Sequence, residues 1–75
     1  MREFFELFEI LKRKDNHYRL HIGYTSVCEY SMQIDYGFPE DFETVFFIQQ
    51  INPVVLFAKG IIEVEKILCE KFGGY

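Results

Sequence analysis

The chain has 75 residues and a formal net charge of −4, with 27% charged and 19% aromatic residues. That length makes one domain, residues 1–75, with a small core near the lower limit for independent folding. The acidic balance excludes a surface built to grip nucleic-acid phosphates, and two cysteines are too few for a disulfide framework.

Nine Phe and five Tyr, with no Trp, offer large apolar areas to offset the small size. No long uncharged run occurs, so neither a signal peptide nor a membrane span is expected. The protein reads as cytoplasmic, with Cys28 on a strand and Cys69 on a helix kept as free thiols inside the apolar layer.

Residues 2–13 read as the first helix. Phe4, Leu7, Phe8 and Leu11 recur at helical spacing, while Arg2, Glu6, Glu9 and Arg13 take the opposite side. Glu9 and Arg13 stand four apart in the favourable order. Lys12, Arg13 and Lys14 sit at the negative end of the helix dipole, and Lys14-Asp15-Asn16 makes the turn.

The stretch from His17 to Tyr36 is the hairpin on which the rest is organised. Tyr18, Leu20, Ile22 and Tyr24 alternate with His17, Arg19, His21 and Gly23; Cys28, Tyr30, Met32, Ile34 and Tyr36 alternate with Glu29, Ser31, Gln33 and Asp35. Period-two alternation marks strands with one dry and one wet face. Bringing the dry sets together, with Ile22 opposite Tyr30 and Leu20 opposite Met32, requires an odd loop, Thr25 to Val27, or a bulge, since a one-residue slip flips every side chain. Residues 37–43, with Gly37, Pro39 and Asp41, read as the longest loop. A third strand follows at about residues 44–50. Its phase is open: Phe46 and Ile48 point one way, Val45 and Phe47 the other.

Asn52-Pro53 starts the second helix, Asn capping free N–H groups and Pro suiting the first position, and Gly73-Gly74 closes it. Its main stripe reads Val54, Phe57, Ala58, Ile61, Val64, Leu68 and Phe72, widened by Val55, Ile62 and Cys69. Glu65 falls inside that stripe, and Leu56 and Ile67 fall on its wet side. The expected architecture is an α+β, αβββα two-layer sandwich, a three-stranded antiparallel sheet with both helices on one face.

No constellation carries chemistry. His17 and His21, four apart on a strand, are about 13 Å apart and cannot chelate one metal alone. There is no Gly-rich phosphate loop and no paired-cysteine ligand spacing. A non-enzymatic protein without cofactor or metal is expected. Partner binding falls to the open sheet face and the acidic loop beside it: Arg19, His21, Gln33 and Asp35, the carboxylates Glu40, Asp41 and Glu43, and Phe46 or Phe47 according to strand phase.

Helix, three strands, helix is also the order of double-stranded-RNA-binding domains, but their lysine cluster at the start of the last helix is replaced here by Asn52-Pro53-Val54-Val55-Leu56-Phe57-Ala58-Lys59, with one lysine. Tyr18-Arg19-Leu20-His21-Ile22-Gly23-Tyr24 with a second aromatic strand, the Phe57-Ala58-Lys59 helix and the Gly73-Gly74-Tyr75 end together resemble short acidic proteins encoded by phages and prophages, among them small anti-CRISPR inhibitors. That resemblance implies a compact inhibitor of a host defence nuclease, with Glu40, Asp41 and Glu43 facing a basic groove and no direct contact with nucleic acid or membrane. The alternative is a self-associating phage structural or regulatory protein, a homodimer packed through the third strand or through Leu56 and Ile67 of the second helix.

Overall fold

A computed structural model describes residues 1–24 and 29–74. The elements run α1 (Arg2–Lys14), β1 (Tyr18–Tyr24), β2 (Tyr30–Phe38), β3 (Asp41–Gln50) and α2 (Pro53–Phe72). The sheet is antiparallel in the order β1-β2-β3. Both helices contribute to one core cluster with the inward residues Tyr18, Met32 and Ile34. This is the expected αβββα sandwich.

The first helix buries Phe4, Leu7, Phe8 and Leu11, the expected stripe. Burying each such side chain contributes about 1.5–3 kcal/mol. Lys12 fastens the end of α1 to the sheet: its Nζ donates to the carbonyls of Asn16 (3.0 Å) and Tyr18 (2.7 Å). Arg13 donates to Glu9 at 2.7 Å on the exposed side, where an ion pair adds little.

In the first hairpin Tyr18, Leu20, Ile22 and Tyr24 pair with Tyr36, Ile34, Met32 and Tyr30. The dry sets share a face as expected, but each β1 residue meets a partner two positions further along β2 than expected. A two-residue shift leaves the faces unchanged, so alternation alone could not distinguish the two registers. The expected Thr25–Val27 loop, like Cys28, lies outside the described residues. At the far end of β1 the helices leave Ile22 and Tyr24 exposed.

The stretch 37–43 is not a long loop. β2 continues to Phe38, β3 begins at Asp41, and only Pro39 and Glu40 lie between them. Gly37 permits this: its φ is +147°, and a Cβ there would collide with the Asp41 carbonyl oxygen. The residue that reads as a strand breaker is what lets the two strands close.

The pairing shifts between Ile34–Phe46 and Asp35–Thr44, leaving Val45 as an extra residue on β3. The bulge resolves the phase of the third strand. Phe46 and Ile48 pack against the core, whereas Phe47 remains 55% exposed and Val45 is exposed beside it.

The second helix is capped as expected. Asn52 Oδ1 accepts from the Val54 N–H at 2.9 Å, and Gly73 and Gly74 N–H groups donate to the Cys69 and Leu68 carbonyls. Its buried face differs from the expected one. Leu56, Phe57, Gly60, Val64, Ile67 and Leu68 face the core, while Val54 and Ala58 are exposed. Leu56 and Ile67 are therefore core residues, which removes the expected dimer contact through them. Cys69 is exposed rather than inside the apolar layer, and Glu65 is half-buried at the edge of the packed face.

Gly60 is the reason for the rotation. A Cβ there would lie 2.7 Å from Met32 Sδ and 2.8 Å from Phe4 Cε1. The helix backbone approaches the sheet and α1 where it has no side chain, and its buried face centres on that point.

Candidate partner-binding face

The helices cover one side of the sheet. The other side carries the outward residues of each strand: Arg19 and His21 from β1, Gln33 and Asp35 from β2, and Phe42, Thr44 and Phe47 from β3. Alternation along the paired strands dictates this set.

Asp35 lies at its centre and is only 8% exposed, although no helix packs over it. Its neighbours enclose it. Gln33 Nε2 donates to Asp35 Oδ1 at 2.8 Å, Thr44 Oγ1 donates to the same oxygen at 3.0 Å, and His21 Nε2 lies 3.4 Å from Oδ2. The Gln33 hydrogen bond is the main cause holding the Asp35 carboxyl below its ordinary pKa; burial opposes it, and Thr44, His21 and Arg19 add to it. The carboxylate is thus committed within the sheet. It braces the face rather than reaching out from it.

Arg19 lies across the Phe42 ring, its guanidinium carbon 4.5 Å from the ring centroid. It opens onto a groove of about 390 Å³ lined by Lys12, Asn16, His17, Arg19, Pro39 and Phe42, along with the Gly37 backbone. Among the described residues no carboxylate lines this groove, in a chain of net charge −4. A planar guanidinium held against an aromatic ring suits the bidentate recognition of a carboxylate.

The groove wall is set by a turn that the sequence reading treated only as a connection. Asp15 Oδ1 accepts from the His17 backbone N–H at 3.1 Å and lies 2.6 Å from His17 Nδ1, and Oδ2 accepts from the Tyr36 hydroxyl at 2.9 Å. Burial pushes the Asp15 pKa up, but the His17 and Tyr36 hydrogen bonds outweigh it and the net shift is downward. The same Asp15 bond raises the Tyr36 pKa. Behind it, Lys71 Nζ sits 4.5 Å from the Tyr36 ring centroid and 5.4 Å from that of Tyr18. Among the described residues the buried Tyr18 hydroxyl has no partner in hydrogen-bond geometry; the nearby Lys71 ammonium has its pKa raised first by this hydroxyl. An Asp two residues before a His signals the local turn. Nothing in the sequence signals its bond to Tyr36.

Of the residues expected to bind a partner, Arg19, His21, Gln33, Asp35 and Phe47 share the outer face. Phe46 does not: it packs inward. Glu40 and Asp41 are exposed at the tip of the second hairpin. Glu43 is also exposed, but it pairs with Tyr36 and so points to the helix side of the sheet. The acidic trio therefore forms an edge at the hairpin tip, not part of the flat face. None of the three makes an ion pair among the described residues.

Among the described residues no three His, Cys, Asp or Glu side chains come together as a metal site, and no helix is long and apolar enough to cross a membrane. Comparison with family models, curated proteins and solved structures gave no match, so the functional reading rests on the chain's own residues.

Proposed function

We propose that this protein is a non-enzymatic interaction module that docks a protein partner on the outer face of its sheet. The observation that carries this reading is the exposure of Phe47 beside a polar network already satisfied within the sheet. Exposed aromatics flanked by polar groups are typical of docking surfaces. The bracing of Asp35 by Gln33 and Thr44 keeps the face rigid, which lowers the ordering cost of binding.

The resemblance to short acidic phage proteins supports a narrower form. The partner is then a host defence nuclease, and the exposed carboxylates Glu40, Asp41 and Glu43 meet its basic groove while Phe47 anchors the neighbouring surface. Electrostatic contact of this kind weakens as salt screens it.

The test is capture of partners from a bacterial lysate with tagged protein at low and moderate salt, followed by affinity measurements. Phe47→Asp should abolish capture. Glu40→Ala, Asp41→Ala and Glu43→Ala together should weaken it and flatten its salt dependence. Unchanged affinity in Phe47→Asp overturns the sheet-face reading, and unchanged affinity in the triple variant overturns the nuclease form.

A further inference from the structure

The groove beside Arg19 is a gap in the outer face made by Gly37. His17, the residue before β1, Gly37 of β2 and Phe42 of β3 stand in one row: Gly37 pairs with Phe42, and its N–H donates to the His17 carbonyl at 3.2 Å. The glycine raises no side chain, so the row has two walls and a backbone floor. Arg19 leans across the gap and lies over the Phe42 ring. We infer that the groove is a binding site for a single carboxylate carried on a small apolar body, with Arg19 as the group that grips it.

The state of Arg19 is the first reason. A guanidinium offers five N–H donors along its edge, and stacking on Phe42 occupies only its flat face. Among the described residues Arg19 makes no hydrogen bond or ion pair. The carboxylate directly opposite it, Asp35, is already taken by Gln33, Thr44 and His21. The chain therefore holds this cation in one orientation and leaves its donors unanswered, which is the arrangement of a preorganised anion site.

The surrounding charges limit the anion to one charge. The Lys12 ammonium also lines the groove, but two of its three N–H donors go to the Asn16 and Tyr18 carbonyls. His17 adds no unanswered charge, because Asp15 Oδ1 lies 2.6 Å from its Nδ1; the Phe38 ring, 4.6 Å away between centroids, holds it as a wall. α1 ends beside the groove at Lys14, and that end of a helix is negative. Glu40 and Asp41 stand exposed next to Pro39. These terms admit a carboxylate and oppose the nearly double charge of a phosphate group.

The body of the ligand follows from the walls. Pro39 and Phe42 are apolar, and about 390 Å³ lies at the lower end of small-molecule sites. One ring or a short aliphatic chain fits between them. The same chemistry has two sources, a free organic acid and the last residue of a peptide with its terminal carboxylate.

The experiment is a ¹⁵N NMR titration of the full chain at low salt. The probes are 3-phenylpropionate, its neutral amide, inorganic phosphate, and an N-acetylated tripeptide ending in phenylalanine with a free or an amidated C-terminus. 3-Phenylpropionate should shift the His17, Arg19 and Phe42 amides and the Arg19 Nε–H, with a Kd on the order of 1 mM. The amide should bind roughly tenfold more weakly. Arg19→Gln should lose roughly tenfold, and Arg19→Lys should recover only part, because the charge returns without the fork. Unshifted resonances away from the groove check that both variants are folded. Tighter binding of the free-ended tripeptide than of the small acid supports a partner's chain end as the source; the reverse supports a free acid. Equal binding of carboxylate and amide, tighter binding of phosphate, or unchanged affinity in Arg19→Gln overturns the inference. Phe47 lies in the other half of β3 from Phe42, so Phe47→Asp should leave these affinities unchanged even where it abolishes docking of a protein partner. Loss of probe binding in that variant overturns the assignment to this groove.

Discussion

Gly60 of α2 lies against Met32 of β2 so closely that a Cβ would sit 2.7 Å from the methionine sulfur. Two opposing terms decide what Gly60→Ala does. Alanine gains about 1 kcal/mol of helix propensity over glycine, whereas overpacking a filled core costs about 1–3 kcal/mol. The methionine end can shift, but the Phe4 ring at 2.8 Å blocks the same space. Gly60→Ala should lose about 1 kcal/mol net, and Gly60→Val more. Urea denaturation measures both. Shortening Met32 to Val should recover part of the alanine loss; a stabilised Gly60→Ala would show that the approach is not tight.

The same glycine marks the limit of what the sequence makes legible. Element order, both ends of α2 and the two faces of the first hairpin are encoded in local signals: periodicity, a capping Asn, a closing Gly. The rotation of α2 is not, because a glycine adds nothing to an apolar stripe and yet can sit at its centre. Gly37 and Pro39 read as a loop because breaking and tight turning use the same residues. On the outer face, Arg19, His21, Gln33 and Asp35 follow from alternation. The burial of Asp35 does not, since Thr44 reaches it only through the bulge at Val45. The Asp15–Tyr36 bond spans 21 positions, beyond any local pattern.

Gly37 sets the second hairpin and with it the placement of Glu40 and Asp41. Gly37→Ala must either hold a strained φ or push the Asp41 carbonyl away. The backbone term alone is about 1–3 kcal/mol, and the clash adds to it. A loss of roughly 3 kcal/mol is expected in chemical denaturation, together with faster amide exchange in residues 38–42. Gly23→Ala is the comparison: it meets only Ser31 Oγ at 3.2 Å and should cost far less.

Asp35 makes stability depend on pH in a defined direction. Its folded pKa is lowered, chiefly by the Gln33 bond, so the native state binds this proton less readily than the unfolded chain does. Its contribution is complete above the unfolded value, about 3.9, and is lost as pH falls through the lower folded value. Asp35→Asn keeps the shape and removes the charge. It should cost about 1–3 kcal/mol at pH 6 and progressively less as pH falls toward 2. Urea midpoints across that range test it. A wild type to variant gap that is constant with pH would show that the charge is not what the network stabilises. Asp15, also lowered, should behave alike in Asp15→Asn.

The two sides of α2 should respond oppositely to truncation. Leu56 is fully buried and Ile62 is 66% exposed, whereas the apolar pattern of the helix places Leu56 outside. Leu56→Ala should therefore create a cavity and cost about 2–5 kcal/mol. Ile62→Ala should stay within about 0.5 kcal/mol of wild type. Ile67→Ala should follow Leu56, and Val54→Ala should follow Ile62. The comparison is sensitive to the rotation because the expected and observed faces assign these four residues to opposite sides. A large loss at Ile62 with a small one at Leu56 would mean that the helix packs on its other flank.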